Sequence, residues 1–259
     1  MKRRWTLTLV AVAALLGATA PAGYLAFLRA PTGNPADACP AADGRPVVVA
    51  AGASITQGTL GGDWVGGLRR KPELAGYDLV NAGINGNTSA DLLGRLDTDV
   101  VACRPEAVAV LVGTNDVRGE VPVPEYRANL VAIVERIRAG SDARIALASL
   151  PPLGEDPGTE INRRLEGYNA AVREVAEQTD AGYLPVHERM TALLAGQTEP
   201  FAFSFGVAFW AAVQHYTFRR SWDEVAEAGG RTLLVDHIHL SDRGAAQVTD
   251  LVATWLLAG

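Results

Sequence analysis

The sequence has no surplus of basic residues, and the basic residues that it has are almost all arginine. Lysine and arginine number 23 against 29 aspartates and glutamates, and only Lys2 and Lys71 are lysines. Residues 1–30 carry four of the basic residues and no acid, so residues 31–259 have a formal charge of −10. Because nucleic-acid binding depends on a basic surface that neutralises phosphates, we expect no nucleic-acid partner.

Cysteine and histidine are also scarce, with 2 Cys and 4 His in 259 residues. His187 and His215 have no acidic or cysteine neighbours at ligand spacing, so we expect neither a metal site nor a cofactor. The chain contains no repeat and no low-complexity tract. Its length and its 48% hydrophobic content are sufficient for one sizeable core without metals or disulfides.

The N-terminus has the pattern of an export segment. A basic start, MKRR, is followed by residues 5–28 without a charge, and a helix of about 24 residues spans a bilayer. Ala18-Thr19-Ala20 offers a cleavage site, although Pro21 directly after it is unfavourable. Residues 1–29 are interpreted as an uncleaved signal anchor or a cleaved signal peptide, with a buried soluble helix as a further alternative. The two leading interpretations place the rest of the chain outside the cytoplasm, with membrane contact through this segment.

The remainder of the chain alternates between predicted strands and predicted helices. Short apolar runs indicate strands buried on both faces at residues 47–51, 77–81, 107–112, 144–149 and 182–186. Apolar stripes at helical spacing lie at residues 88–100, 124–137, 161–175 and 245–255. This alternation indicates a parallel sheet with helices on both faces. We expect one domain at residues 46–259, preceded by a linker at residues 30–45.

One segment does not fit the alternation. Residues 196–222 are rich in phenylalanine, tryptophan and tyrosine and are interpreted as an insertion before the last motif. The insertion is a helix packed on the core, a wall of an acyl pocket, or a surface that dips into the membrane. If it is a pocket wall, shortening Phe209 or Trp210 to alanine is expected to shift the preference for acyl chain length.

Polar loops follow several of the predicted strands. The first strand is followed by GASITQG with Ser54, the second by NAGINGNTS, and the third by GTND with Asn115. Near the end of the chain, LLVDHIHLSDRG places Asp236 three residues before His239. Ligands of open parallel sheets bind beyond the carboxyl ends of the strands. We therefore expect these four loops to meet at one edge of the sheet.

The four loops, in this order, resemble the signature blocks of the SGNH (GDSL-type) hydrolase family over roughly residues 47–250. The resemblance implies a three-layer α/β/α flavodoxin-like sandwich with a five-stranded parallel sheet in the order 2-1-3-4-5. It also implies a lipase-like or esterase-like activity on carboxylic esters. The expected substrate is then a small-molecule, lipid or glycan ester.

The resemblance also assigns a role to each matching residue. Ser54 is the expected nucleophile, His239 its general base, and Asp236 the residue that orients the imidazole. His239 is preferred to His237 because two loop residues three apart converge more readily than neighbours do.

The family's oxyanion hole has counterparts in the same blocks. It uses the nucleophile's own amide, the glycine of the second block and the asparagine of the third, which are here Ser54, Gly83 and Asn115. Asn85 and Asn87 are weaker candidates for substrate binding, and Asp116 is an alternative orienter of the histidine. Loop structure is the alternative role for all three.

The first block departs from the family at one position. Its usual Gly-Asp-Ser is here Gly-Ala-Ser, with Ala53 in place of the aspartate. The triad does not need this carboxylate, since Asp236 is available, but the hydrogen bonding of the serine loop is then in question. The sequence favours an extracytoplasmic serine esterase. It leaves open an acyltransferase acting on envelope lipids or glycans, and a membrane-tethered binding module without catalysis.

Two cysteines in an exported chain suggest one disulfide. Cys39 lies eight residues before the first strand and Cys103 four before the third. The family's sheet order makes those strands neighbours, which brings both cysteines to one edge of the sheet. Two free, partly buried thiols are the alternative. No lipobox precedes Cys39, so a lipoprotein anchor is not expected.

Overall fold

The computed structural model of the protein describes residues 19–39 and 44–258. Most of the predicted export segment, residues 1–18, lies outside the described residues, and so do residues 40–43 of the predicted linker. Within the described ranges, no helix is both long enough and apolar enough to cross a membrane.

The core of the fold is a parallel sheet of five strands in the order β2-β1-β3-β4-β5, which confirms the predicted order. The strands are β1 (Val47–Gly52), β2 (Asp78–Gly83), β3 (Ala107–Leu111), β4 (Arg144–Ala148) and β5 (Gly182–Leu184). Every residue of β1 and of β3 is buried. Because both faces of these strands are covered, the continuous apolar runs carry no polar alternation.

Helices cover both faces of the sheet. In chain order they are α1 (Pro35–Ala38), α2 (Ser54–Gln57), α3 (Trp64–Arg69), α4 (Ser89–Gly94), α5 (Leu96–Asp99), α6 (Thr114–Arg118), α7 (Val123–Gly140), α8 (Glu160–Gln178), α9 (Val186–Leu193), α10 (Phe205–Ala212), α11 (Trp222–Ala228) and α12 (Asp242–Leu257). Short 3₁₀ turns lie at Pro72–Leu74 and Val101–Cys103, and π-helical turns at Tyr24–Leu28 and Val213–Thr217.

The helix predicted over residues 88–100 is divided into α4 and α5. Thr88 caps α4 in a reciprocal capping box with Asp91, as its sequence position indicates. The division falls at Arg95, whose guanidinium donates to the carbonyl oxygens of Gly52 and Ala82, each at 2.9 Å. Arg95 thus ties the helix to the carboxyl ends of the two strands that precede the first two polar loops.

The residues before β1 are attached to the domain. Cys39 and Cys103 form the expected disulfide. The amide of Asn81 donates to the carbonyl of Gly33 at 2.8 Å, so the segment also pairs with β2. Within the predicted linker, the described residues 30–39 therefore contact the sheet.

Candidate active site

The serine block makes a sharp turn from strand to helix. β1 ends at Gly52, Ala53 has φ −109° and ψ −143°, and Ser54 is the first residue of α2. The amides of Thr56 and Gln57 donate back to the Ala53 carbonyl at 3.1 and 2.9 Å. This turn places the Ser54 side chain at the carboxyl edge of the sheet.

The turn is held without a carboxylate at position 53. The side-chain amide of Asn81, on the neighbouring strand, donates to the Thr56 carbonyl at 2.8 Å. At the end of the same strand, a Cβ on Gly83 would collide with the backbone nitrogen of Gln57. Glycine therefore permits β2 to lie directly against the serine helix. These contacts support the serine loop in the molecule that has Ala53.

The loop that carries Asp236 and His239 is a tight backbone turn. The amide of Val235 donates to the carbonyl of His239 at 2.8 Å, which closes the turn around residues 236–238. The buried carboxylate of Glu155 accepts hydrogen bonds from the amides of residues 232–234 at 2.6 to 2.9 Å. The turn and its anchor fix where both side chains point.

Ser54, His239 and Asp236 form one buried chain of hydrogen bonds. His239 Nε2 lies 2.9 Å from Ser54 Oγ, and His239 Nδ1 lies 2.6 Å from Asp236 Oδ2. The second carboxylate oxygen accepts from the backbone amides of Ile238 and His239 at 3.1 and 2.8 Å. Two sequence blocks that lie 185 positions apart in the chain are thereby brought into contact.

The environment of Asp236 favours its ionised form. Burial raises the pKa of the carboxyl, but the charge of His239 and the hydrogen bonds from residues 238–239 outweigh burial, and the pKa is lowered overall. An ionised carboxylate only accepts hydrogen bonds, so Nδ1 of His239 carries a hydrogen. In the neutral imidazole, Nε2 is then free to accept from Ser54.

The structure does not bring Gly83 to the site. Its amide donates to Asn81 Oδ1 at 3.0 Å, inside the fold. Gly86, in the same sequence block, lines the cavity with Ser54 instead. It has φ +80°, and a Cβ placed on it would meet open space. Of the two glycines of this block, Gly86 is therefore the one at the site.

Asn115 lies at the cavity as expected. Its side-chain nitrogen donates to the carbonyl of Asn87 at 2.9 Å, which fixes the orientation of the amide. The Asn87 side chain itself accepts from Arg95 Nε at 2.7 Å and has a loop role. The Asn85 side-chain nitrogen donates to the carbonyl of Ala26 at 3.2 Å.

Asp116 and His237 lie apart from the hydrogen-bonded chain. The Asp116 carboxylate accepts from the amide and the hydroxyl of Ser89, and burial raises its pKa. His237 has φ +75°, and its ring lies against Phe201 and Arg231. Burial, together with the charge of Arg231, lowers the pKa of His237. The backbone turn thus directs two histidines that are two positions apart, His237 and His239, to different surroundings.

A cavity of about 250 Å³ opens above Ser54 and His239. Its polar lining consists of Ser54, Asn85, Gly86, Asn115, Arg118 and His239. Its apolar lining comes from Phe27, Leu60, Phe203, Phe205, Ala208 and Ile238. Phe27 and Arg118 were not anticipated from the sequence. Phe27 lies in the predicted export segment, and Arg118 is an exposed arginine at the end of α6, two residues after the GTND block.

The aromatic insertion supplies part of this lining. Phe203 and Phe205 face the cavity, whereas the cavity lining does not include Phe209 or Trp210. The Arg118 guanidinium lies 4.6 Å from the centre of the Phe203 ring. The variants that test a pocket wall are therefore at positions 203 and 205.

A second depression, of about 590 Å³, lies at the amino end of β2 among Arg45, Arg69 and Asp78. It contains none of the residues of the serine site. In the described part of the chain, no group of three or more His, Cys, Asp or Glu side chains is placed to hold a metal ion.

A parallel α/β sheet with a buried Ser–His–Asp chain at the carboxyl ends of its strands is typical of serine hydrolases. Residues 50–247 match the profile of the GDSL-like lipase/acylhydrolase family. The chain belongs to this family, which confirms the resemblance of its sequence blocks.

Individual relatives match a shorter part of the chain. An acetylxylan esterase of Geobacillus stearothermophilus is 30% identical over 135 residues, 48% of this chain and 60% of the relative. The esterase TesA of Pseudomonas aeruginosa is 32% identical over 137 residues, 51% of this chain and 65% of the relative. The match thus spans less than two thirds of each of these curated relatives.

Solved structures share the fold over a longer stretch. The acetyl xylan esterase AlAXEase superposes with a TM-score of 0.61 over 81% of this chain and 99% of its own, at 19% identity. This similarity confirms the three-layer α/β fold.

Proposed function

We propose that this protein is an extracytoplasmic serine esterase that cleaves short-chain acyl esters through an acyl-enzyme. The observation that carries the proposal is the hydrogen-bonded chain from Ser54 Oγ through His239 to Asp236 at the base of the cavity. A serine hydroxyl is a weak nucleophile until a base takes its proton. Here the base lies within hydrogen-bonding distance and is itself oriented by a buried carboxylate.

In the proposed reaction, Ser54 Oγ attacks the ester carbonyl carbon while His239 Nε2 takes the hydroxyl proton. The tetrahedral intermediate collapses, the bond to the alcohol oxygen breaks, and His239 returns the proton to that oxygen. A water molecule then attacks the acyl-serine with the same histidine as base, which releases the acid and restores Ser54. Asp236 stays ionised and stabilises the imidazolium that forms in each half of the reaction.

The proposed oxyanion donors are the amides of Ser54 and Gly86 and the side-chain amide of Asn115. Gly86 and Asn115 line the same cavity as the nucleophile. One side-chain N–H of Asn115 is directed to the Asn87 carbonyl, and an asparagine amide has two such donors. The second is available for the oxygen on which negative charge develops.

The size of the cavity favours small acyl groups. Pockets for drug-sized ligands have volumes of about 300 to 1,000 Å³, and this cavity has about 250 Å³. Its apolar side accommodates a short hydrocarbon, and its open polar side faces the loops. The match to an acetylxylan esterase supports acetyl groups on carbohydrate as one substrate class.

The proposed location outside the cytoplasm is supported by two independent features. The chain begins with a basic and then apolar segment. Its two cysteines form a disulfide, a bond that persists in oxidising compartments and is rare in the cytosol.

The proposal is tested by the variant Ser54→Ala. Hydrolysis of p-nitrophenyl acetate is expected to fall about 10,000-fold or more, because loss of a triad member leaves only the residual effects of binding and the oxyanion hole. A fluorophosphonate probe is expected to label the wild-type protein at Ser54 and not the variant.

A matched control is Ser141→Ala, since Ser141 lies after the last residue of α7, at the opposite edge of the sheet. It should leave both labelling and turnover unchanged. Turnover by Ser54→Ala at the wild-type rate would contradict the proposal. Product analysis with an added alcohol or sugar separates hydrolysis from acyl transfer, since a hydrolase forms little transfer product.

A further inference from the structure

The segment Tyr24–Arg29 contributes a side chain to the ester cavity. Phe27 lines the cavity together with Ser54 and His239, although it is 27 positions away from the serine in sequence. The preceding residue, Ala26, is fully buried and packs with Leu60. This part of the chain was assigned to the export segment by its composition alone.

The backbone of this segment is bound to the serine loop. The Thr59 hydroxyl donates to the Ala26 carbonyl at 2.8 Å, and the Gln57 side-chain nitrogen donates to the Arg29 carbonyl at 2.9 Å. Thr59 and Gln57 are both buried. A buried donor that loses its acceptor costs free energy, so these side chains favour the attached position of the segment.

The loop after β2 binds the same segment. The Asn85 side-chain nitrogen donates to the carbonyls of Ala26 and Phe27 at 3.2 and 3.3 Å. The backbone amide of Asn85 in turn donates to the Gln57 side-chain oxygen at 2.6 Å. The segment is therefore held by both loops that flank the cavity. The position of Phe27 is fixed by the hydrogen bond to its own carbonyl oxygen and by those to the carbonyls of Ala26 and Arg29 on either side.

The ring of Phe27 completes the apolar side of the cavity. Its centre lies 6.3 Å from that of Phe205, which lies 6.2 Å from that of Phe203. The next residue, Leu28, is 76% exposed and does not line the cavity. Neighbouring positions of one turn therefore differ in whether they can contact a substrate.

We propose that Phe27 is a specificity-determining residue of the ester site, and that the hydrogen bonds to the backbone carbonyls of Ala26, Phe27 and Arg29 hold it there. The inference rests on the proposed esterase function. Phe27 limits the space for the apolar group of the ester, so that short acyl chains are favoured. Signal cleavage after Ala20, the site that the sequence offers, would leave Phe27 and the whole segment Tyr24–Arg29 in the mature chain.

The test is the variant Phe27→Ala in the full chain, with kcat/KM measured for p-nitrophenyl acetate, butyrate and hexanoate. The enlarged cavity is expected to raise the ratio of hexanoate to acetate kcat/KM by about 10-fold, the lower end of what one methylene is worth in an apolar pocket. Leu28→Ala is the matched control and should leave the ratio within about 2-fold of the wild type.

Phe27→Leu removes less volume and is expected to give an intermediate ratio, so the proposal is tested even if the alanine variant does not fold. Fluorophosphonate labelling of Ser54 should persist in all three variants. Labelling with an unchanged ratio in the position-27 variants overturns the inference about Phe27 alone. Absence of labelling and turnover in the wild type overturns the proposed function itself.

Discussion

The polar side and the apolar side of the cavity are built in different ways. The polar side consists of Ser54, Gly86, Asn115 and His239. The first three belong to blocks that follow strands β1, β2 and β3, whereas the turn of His239 is anchored by the Glu155 carboxylate. The apolar side consists of Phe27, Phe203 and Phe205, which belong to a segment before the sheet and to a late insertion. The sheet positions three of the four polar groups directly, whereas the apolar groups depend on contacts between segments outside the sheet.

This difference separates two properties of the proposed enzyme. Changes on the polar side are expected to alter whether an ester is cleaved, because those groups contact the reacting atoms. Changes on the apolar side are expected to alter which ester is cleaved. Variants of the two sides are therefore expected to affect these two properties separately.

The largest effect in this comparison is expected from Asp236→Asn. Without the carboxylate the imidazole of His239 no longer has a fixed tautomer, and kcat is expected to fall about 10,000-fold. Steady-state kinetics with p-nitrophenyl acetate measures this loss. Asp116→Asn is the matched control, because that buried carboxylate binds Ser89 and not the histidine. A large loss of kcat in the control together with an active Asp236→Asn would assign the orienting role to Asp116.

An intermediate effect is expected from Asn115→Ala. Loss of one oxyanion donor typically lowers kcat about 100 to 1,000-fold with little change in KM. Kinetics on the same ester measures both constants. A raised KM with an unchanged kcat would instead assign Asn115 to substrate binding in the ground state.

The smallest effect is expected from mild acid, and it concerns histidines that do not line the cavity. Burial lowers the pKa of His187, of His215 and of His237. Below about pH 6.5, the ordinary histidine pKa, the unfolded chain therefore binds more protons than the folded protein, and stability falls as the pH falls. Asp116 acts in the opposite direction, because burial raises its pKa.

Thermal unfolding at pH 7.5 and pH 5.5 measures this effect. The Tm is expected to be a few degrees lower at pH 5.5, since about 1 kcal/mol corresponds to about 2–4 °C for a chain of this size. His215 stacks on Trp222 within the insertion. The variant His215→Gln, which cannot take up a proton, should reduce the difference in Tm between the two pH values. An undiminished difference in that variant would place the acid sensitivity elsewhere.

Sequence patterns were sufficient for the strands, because β1 and β3 are buried on both faces and so appear as continuous apolar runs. They were less informative about side-chain direction. The block NAGINGNTS contains two glycines, and Gly83 was the one expected at the cavity. Gly83 is needed where β2 lies against the serine helix, and Gly86 reaches the cavity. A string of letters does not distinguish a glycine required for packing from one exposed to a ligand.

The aromatic insertion shows the same limit. Composition drew attention to Phe209 and Trp210, but the cavity is lined by Phe203 and Phe205. The direction of each ring depends on how α10 and the residues before it pack against the segment around Phe27. That packing joins parts of the chain nearly 180 positions apart and has no local signature.

The alternation of strands and helices, the four polar blocks and the family of the chain could all be predicted from sequence patterns. Local patterns carry this information because burial and backbone turns select residue types position by position. The position of Gly86 instead of Gly83 at the cavity, and of Phe27 in its wall, became visible in the packed domain. Those outcomes depend on distances between loops that are remote in sequence, and such distances are set when the whole domain packs.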